Sequence, residues 1–452
     1  MTGAVRSDGL RVVIEPADVS GRFATARKVV FAVLIGVYVA LPFVAIGGHP
    51  AVFLDVPVRR FYLFGGVFSA SDIPMTVFFV LGVGFTLFAV TALLGRVWCG
   101  WGCPQTVFLD GVYRRIERVI QGPRVRRIRR DAGPLTLDRA WRKAATHALF
   151  AAVSLVLAHV LLSYFVTMPA LGHMVLRSPA EHPTSFIMAM AVSGLLYFNF
   201  AWFREQLCLI ICPYGRLQGV LVDDDTLVVG YDAGRGEPRG KVSAKASGDC
   251  VDCKRCVVVC PTAIDIRDGL QLDCIGCTAC IDACDEVMAG LSRKPGLIRY
   301  DSLRGLRGEA RRFLRPRIYA YGAVLGGLAL AGTLVLGNRR SFEAHLLRPP
   351  GIPFTVSDGV VYDPFDVHLV NKREEPVRLR LVATSEAEAG AEVTVPDGDI
   401  VLGPLEERHI PVTVKARVAR RDRSFAVKLR TTGNGDTVDL EAHFVGPQGA
   451  PR

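Results

Sequence analysis

The sequence is short of charge, and its last quarter has no cysteine. Only 21% of its 452 residues are Asp, Glu, Lys or Arg, whereas 50% are hydrophobic. This excludes a disordered chain, which needs low hydrophobicity and high charge. A mean hydropathy of +0.31 also argues against an ordinary soluble enzyme. Acid is scarcer than base: 43 acidic against 54 basic residues leave a net charge of +11. Such a surplus fits a nucleic-acid surface or a membrane protein with basic loops, and its placement decides between them. No Gly-x-Gly-x-x-Gly follows a strand pattern, so no nicotinamide site is evident, and no flavin motif is recognisable.

What the chain has instead is five long apolar stretches, over 29–48, 74–95, 144–168, 184–203 and 318–337, all free of Asp, Glu, Lys and Arg. Each approaches the roughly 20 residues that cross a bilayer. The first is too long for a signal-peptide core and follows a segment carrying Asp8, Glu15 and Asp18. The connection 97–145 has eleven basic and four acidic residues, a balance of +7. By the positive-inside rule it is cytoplasmic. Five spans then leave the N-terminus inside and the C-terminus outside, in the periplasm of a bacterium. Gly322 and Gly326 in the fifth span have the spacing of close helix contacts, but glycine is common in membrane helices and the plainer reading is preferred.

All twelve cysteines lie between Cys99 and Cys284, the reverse of a secreted disulfide framework. Eight form two runs: Cys250, Cys253, Cys256 and Cys260, followed by Pro261, then Cys274, Cys277, Cys280 and Cys284. This is the spacing of a bacterial two-cluster ferredoxin, in which the fourth cysteine of each run serves the other cluster. One [4Fe-4S] cluster is therefore expected on Cys250, Cys253, Cys256 and Cys284, and a second on Cys274, Cys277, Cys280 and Cys260. Asp285 replaces the usual Pro after Cys284, which puts the last turn in question. Zinc would leave four thiolates idle.

The other four cysteines form two matching motifs, Cys99-x3-Cys103-Pro104 and Cys208-x3-Cys212-Pro213, after the second and fourth stretches. If helical, each pair shares a face, and the two pairs can meet across a bundle. Soft thiolates suit Cu(I), zinc or an iron–sulfur centre. A lone pair would be read as small buried hydrophobes; two pairs with the same spacing, Pro and position are not.

His147 and His159 are twelve residues apart on one stretch, about 18 Å of helix, too far to share one haem iron, and are read as buried, hydrogen-bonded residues. Met168, His173 and Met174 are read as packing. Residues 223–248 read as a polar, Gly-rich loop with Asp223, Asp224 and Asp225 solvated, and 285–316 as basic and helix-compatible. Beyond 338 the pattern changes to period two, over 365–371, 377–383, 409–416, 425–431 and 437–444, with polar turns between. This suggests an immunoglobulin-like β-sandwich.

With CVDCKRCVVVCP, DCIGCTACIDAC, WCGWGCPQT and GLIRYDS in place, the chain resembles the cytochrome c oxidase accessory family called CcoG, FixG or RdxA, along nearly its whole length. Paired CxxxCP motifs also occur in related quinol-dehydrogenase-like subunits. The resemblance implies a bacterial inner-membrane protein that supports assembly of a cbb-type oxidase by reducing Cu(II) to Cu(I). It implies copper handling by Cys99, Cys103, Cys208 and Cys212, and iron–sulfur ligation by the other eight.

The expected organisation is a cytoplasmic N-terminus (1–28), a four-helix membrane region (29–222), a ferredoxin domain (223–316), a fifth transmembrane helix (317–338) and a periplasmic immunoglobulin-like sandwich (339–452). Expected partners are the lipid bilayer, a cytoplasmic electron donor or the quinol pool, copper chaperones or transporters, and oxidase assembly factors. The rivals are a quinol dehydrogenase, a non-enzymatic scaffold, and a third cluster on the CxxxCP thiols. The C-terminal segment from 338 carries sixteen basic and seventeen acidic residues, so the positive charge lies in the membrane part. No feature is left to support nucleic-acid binding.

Overall fold

The computed structural model describes residues 14–69, 72–241, 248–351, 353–383, 391–396, 398–417, 426–433 and 435–443. Phe425 and Phe444, at the ends of two expected strands, lie outside the described residues, as do residues 1–13 of the expected N-terminal segment and 242–247 of the expected loop. The chain divides into two compact units, one holding most of residues 1–332 and the other most of 333–452.

Five helices of the first unit are long and apolar enough to cross a membrane: spans one (Arg22–Phe43), two (Met75–Leu94), three (Leu137–Leu162), four (Pro183–Phe203) and five (Pro316–Gly337). Two spans differ from expectation at their ends, span three also stopping at Leu162 rather than 168. Span one begins seven residues earlier and stops at Phe43, where Ala45–Ile46 turns back on His49–Pro50 as a short hairpin. The left-handed Gly47 and Gly48 that make this turn cannot extend a helix. Span three begins at Leu137 because the Thr136 side chain accepts from Arg139 N and caps it. Glycines 322 and 326 of span five have open space where a Cβ would sit, so they mediate no close helix contact within the chain.

Span three packs on span four through an aromatic core. Tyr113 stacks on Phe200 with ring centroids 4.6 Å apart and hydrogen-bonds Ser154 at 2.7 Å. Tyr113 closes a π-helical turn, Leu109–Tyr113, and two more π-helical turns, Phe198–Phe203 and Leu207–Ile211, end span four and follow it. Such turns widen a helix by one residue and often mark functional segments.

The short elements that carry chemistry are helices α1 (Val97–Trp101), α2 (Pro104–Phe108), α3 (Pro213–Leu221), α4 (Arg255–Val258) and α5 (Ala279–Gly290). The expected loop 223–248 and helical stretch 285–316 are corrected here. Strand β1 (Val228–Tyr231) pairs antiparallel with β2 (Ile298–Asp301), closing a ribbon around the cysteine module. Four-residue strands so far apart in sequence leave no periodicity to read. The expected solvated loop at Asp223–Asp225 is an ion-paired knot: Asp225 is buried, Arg304 lies 3.3 Å from it, and Arg315 pairs with Asp223.

The second unit is the immunoglobulin-like sandwich. Its strands are β3 (Phe342–Leu347), β4 (Thr355–Ser357), β5 (Val360–Asn371), β6 (Val377–Ala383), β7 (Ala391–Thr394), β8 (Ile400–Leu402), β9 (Glu407–Arg417), β10 (Ala426–Gly433) and β11 (Asp436–His443). One sheet has the order β7-β9-β5-β3 with β4 also on β5; the other is β8-β6-β10-β11. All pairings are antiparallel. Along β5 every second residue is buried, the alternation that puts one face of a strand in the core. Val367, Leu369, Val377, Leu402 and Val414 are fully enclosed. The buried Asp363 on the same face takes two hydrogen bonds from Arg348, at 2.6 and 3.1 Å. Asp72, also buried in this unit, accepts from Arg339 at 2.8 Å and Lys372 at 3.0 Å. Burial alone would raise its pKa, but the Ser69 amide and the two cations outweigh burial and lower it.

Candidate metal centres

The two ferredoxin-type runs fold by the same local device. Asp252 and Lys254, which flank Cys253, have φ of 52° and 55°; Gly276 and Thr278, which flank Cys277, have 66° and 64°. Two left-handed residues around a central cysteine curl each run into a tight turn. Three of these four are not glycine, a conformational cost of about 1–3 kcal/mol each. Lys254 and Thr278 then begin α4 and α5, which carry Cys256, Cys280 and Cys284.

Electrostatic proximity groups the eight thiols. Burial pushes Cys284 up to about 12, with further contributions from Cys256, Cys253 and Cys250. Burial also raises Cys280 well above the usual thiol value, aided by Cys277, Cys274 and Cys260. Cys284 is thus influenced by three cysteines of the first run, and Cys280 by Cys260 and Cys256 of the first run besides Cys277 and Cys274 of its own. Between the runs is a cavity walled by Cys256, Cys260, Cys274, Cys277 and Cys280, with Val229, Ile264, Ile266 and Ile275. Soft thiols around an apolar cavity fit an iron–sulfur cluster, which takes thiolates and needs water excluded. Among the described residues no three His, Cys, Asp or Glu side chains are placed to share one metal ion. Asp285 causes no break: α5 runs through it to Gly290, and its carboxylate accepts from Gly296 N at 2.7 Å.

The CxxxCP motifs are not single helical turns, which corrects the expected i, i+4 face. Cys99 lies in α1, Gly102 ends that helix, and Cys103 is extended (φ −64°, ψ 126°) as the residue before α2. Cys208 lies in the π-helical turn Leu207–Ile211, and Cys212 is extended (φ −64°, ψ 110°) before α3. The cause is Pro104 and Pro213: proline pushes the preceding residue out of the helical region and then starts the next helix. The second cysteine of each motif therefore caps a new helix. Backbone amides of Gln105 and Thr106 reach the Cys103 sulfur, although burial still leaves its pKa raised.

These breaks leave the thiols of the two motifs near enough to act on one another's ionisation. Cys208 is pushed up to about 12 by burial and then by Cys103, Cys99 and Cys212; Cys99 is pushed to about 11 by burial and Cys103. Gln218 of α3, wholly buried, accepts from Cys99 Sγ at 3.5 Å, and its amide nitrogen makes no hydrogen bond. No motif or spacing points to Gln218.

The thiol group abuts the second ferredoxin run. A Cβ on Gly100 would stand 2.7 Å from Ile275 O and 2.9 Å from Cys277 Cα, so only glycine lets these backbones touch. Cys99 packs on the small core of Val259, Ile275, Cys277, Ala279 and Ala283. Arg27 donates to Gly100 O at 3.1 Å, Arg96 to Gly215 O at 2.5 Å, and Tyr300 to Gly276 O at 2.9 Å. Asp282 of α5 accepts from Phe23 N and Ala24 N at the start of span one, at 3.3 and 2.6 Å.

Several arginines of the basic loop have a second job. Asp110 binds Arg27 at 2.9 Å and Arg114 at 2.6 Å, Arg114 reaches Glu205 at 3.3 Å, and the buried Glu117 pairs with Arg127 and Arg204. This network ties the break after span four to the helices after span two. Of the histidines, His147 bonds Tyr197 at 2.9 Å and His159 bonds Leu155 O at 2.7 Å, but neither is buried: His147 is exposed and His159 half-buried.

Comparison with known proteins agrees with this layout. A 4Fe-4S dicluster domain model matches residues 203–303, a 4Fe-4S binding domain model residues 76–128, and the immunoglobulin-like fold at the C-terminus of FixG residues 333–447. Protein RdxA of Cereibacter sphaeroides is 35% identical over 397 residues, covering 83% of both chains. Nitrogen fixation protein FixG of Rhizobium meliloti is 32% identical over 496 residues, covering 97% of this chain and 94% of its own. A solved FixG-related protein from Vibrio parahaemolyticus covers 24% of this chain at 16% identity with a TM-score of 0.20, too low to carry an argument. With relatives this similar over nearly the full length, the chain is a member of the FixG/RdxA family of iron–sulfur electron-transfer proteins.

Proposed function

We propose that the chain delivers single electrons to Cu(II) held at Cys99, Cys103, Cys208 and Cys212, yielding Cu(I) for assembly of a cbb-type oxidase. Cysteines 250, 253, 256 and 284, and 274, 277, 280 and 260, would hold the two [4Fe-4S] clusters, which when bound supply one-electron transfer. The observation that carries this reading is the backbone contact of Gly100 with 275–277, which sets Cys99 in one core with Cys277. Each turnover takes one electron into Cu(II) and leaves Cu(I), which thiolates hold better because both are soft. Cys99, Cys103 and Cys208, whose pKa values burial raises, stay protonated until a cation displaces the proton. The basic loop supports placing this end of the spans in the cytoplasm, with the sandwich in the periplasm.

The test is anaerobic reduction of Cu(II) by the dithionite-reduced full chain, read with a Cu(I)-specific chelator. Substituting Cys99 and Cys208 by Ala should abolish it while iron content holds. Undiminished reduction, or none in the unsubstituted protein, would overturn the reading. A second reading, a further cluster on the CxxxCP thiols, is favoured by one observation. The 4Fe-4S binding domain match over 76–128 contains only two cysteines, Cys99 and Cys103. Roughly twelve irons per chain, rather than roughly eight, would establish it.

A further inference from the structure

A cavity of about 160 Å³, partly open to solvent, lies beside the second ferredoxin run with Cys274 in its wall. That is close to the roughly 150 Å³ that accommodates one benzene-sized ring. We propose that it binds the ring of a lipid-soluble hydroquinone, the electron donor to this protein. The inference rests on the electron-transfer reading above and names its source of electrons.

Position is the first argument. The walls are Arg96 just after span two, Gly219 and Val222 of α3, the segment 223–229, and the loop 270–276. The 223–229 segment is bonded to the end of span two: Leu227 N donates to Leu93 O at 3.1 Å and Thr226 Oγ1 to Ala92 O at 2.8 Å. The cavity is thus level with the end of a membrane span. Its surroundings are the second argument. On α3, Leu217 and Val220 are 51% and 75% exposed; on the facing loop, Leu270 and Leu272 are 45% and 68% exposed. Leu270 and Leu272 line the cavity itself, and Leu217 and Val220 stand on the helix that walls it; at a span end they offer an isoprenoid tail a way into the bilayer. Leu272 also covers Gly219, where a Cβ would stand 2.5 Å from its methyl carbon.

Polar chemistry is the third argument. Asp223 is held by Arg315, but Asp224 has only a 3.5 Å pair with Arg307 and is half exposed. Gln271 donates its amide to Asp265 O at 2.5 Å, so its amide oxygen is the group a hydroxyl would meet. Two carboxylates beside an arginine already bonded to Gly215 O oppose a phosphate or nucleotide. They suit a neutral donor that must lose protons. Hydroquinone oxidation to quinone releases two electrons and two protons; the two clusters, when bound, would take the electrons one at a time, and the protons would leave to water at the cavity's open side, where Asp224 is half exposed.

The test uses the full chain in lipid nanodiscs, anaerobically, with decylubiquinol as reductant and a photoreactive azidoquinone as a binding probe. Labelling should fall on peptides 217–229 or 270–276, with or without clusters, and decylubiquinol should bleach the iron–sulfur absorbance. Val222→Trp, which fills the cavity, should weaken both at least about tenfold, or 1.4 kcal/mol, while dithionite still bleaches the clusters. Leu270→Trp is the second variant should Val222→Trp not fold. Labelling elsewhere, or undiminished in the folded variants, would overturn the proposal, as would no bleaching by decylubiquinol. Copper reduction by dithionite-reduced protein is independent of the cavity, so its loss would refute only the copper reading.

Discussion

The eight-cysteine module and the four-thiol group both gather soft ligands that are distant in sequence, by different local means. In the module, left-handed residues around Cys253 and Cys277 curl each run, and the ribbon of β1 and β2 closes it. In the four-thiol group, Pro104 and Pro213 break two helices, and buried ion pairs hold the broken ends in register. The first arrangement is written in short-range spacing. The second exists only when four helix ends meet, so it should be the more easily disturbed by distant changes.

The largest expected effect comes from breaking the module. Cys280→Ala removes a thiol at the centre of the second grouping, and iron content should fall by about half or more, since metal binding and folding are coupled in such sites. Full retention of iron would show that the grouping is wrong. Next is proton release. Cys99 and Cys208 are raised from 9.0 to about 11 and about 12, so at neutral pH each binds metal by expelling a proton. Metal uptake by the iron-loaded protein should acidify a weakly buffered solution, and apparent affinity should rise with pH until those values are passed. Uptake without acidification would place the metal elsewhere.

The sandwich sharpens the comparison as a region with no thiols. Leu402, fully enclosed in its core, should cost about 2–5 kcal/mol as Leu402→Ala, seen as a lower denaturation midpoint of the sandwich with iron content unchanged. Smallest is Gly100→Ala. Its methyl would press on Ile275 O, costing about 1–3 kcal/mol of overpacking. Iron should stay bound while stopped-flow Cu(II) reduction slows. An unchanged rate would mean that electrons do not cross at this contact.

Much of this was legible beforehand. Five spans, the two cysteine runs and the alternating strands each announce themselves within about twenty residues. The sandwich strands at 342–347, 355–357, 391–394 and 400–402 were missed, most of them being too short or too close to turns to show alternation. The helix breaks at Cys103 and Cys212 were in fact signalled by the prolines, but the i, i+4 spacing drew attention first. The partners of Glu117 and Glu205 could not be read, because Arg204 is 87 positions from Glu117 and Arg114 is 91 from Glu205. Gln218 is an ordinary glutamine until its depth is known.

Asp282 bears on how such a chain matures. Phe23 and Ala24, at the opening turn of the first span, take their carboxylate from a residue more than 250 positions later, between Cys280 and Cys284. During synthesis the first helix to emerge therefore waits, its end open, until nearly two thirds of the polypeptide has been made and α5 has formed. Seating of the first span and folding of the cysteine module are thereby joined through one carboxylate.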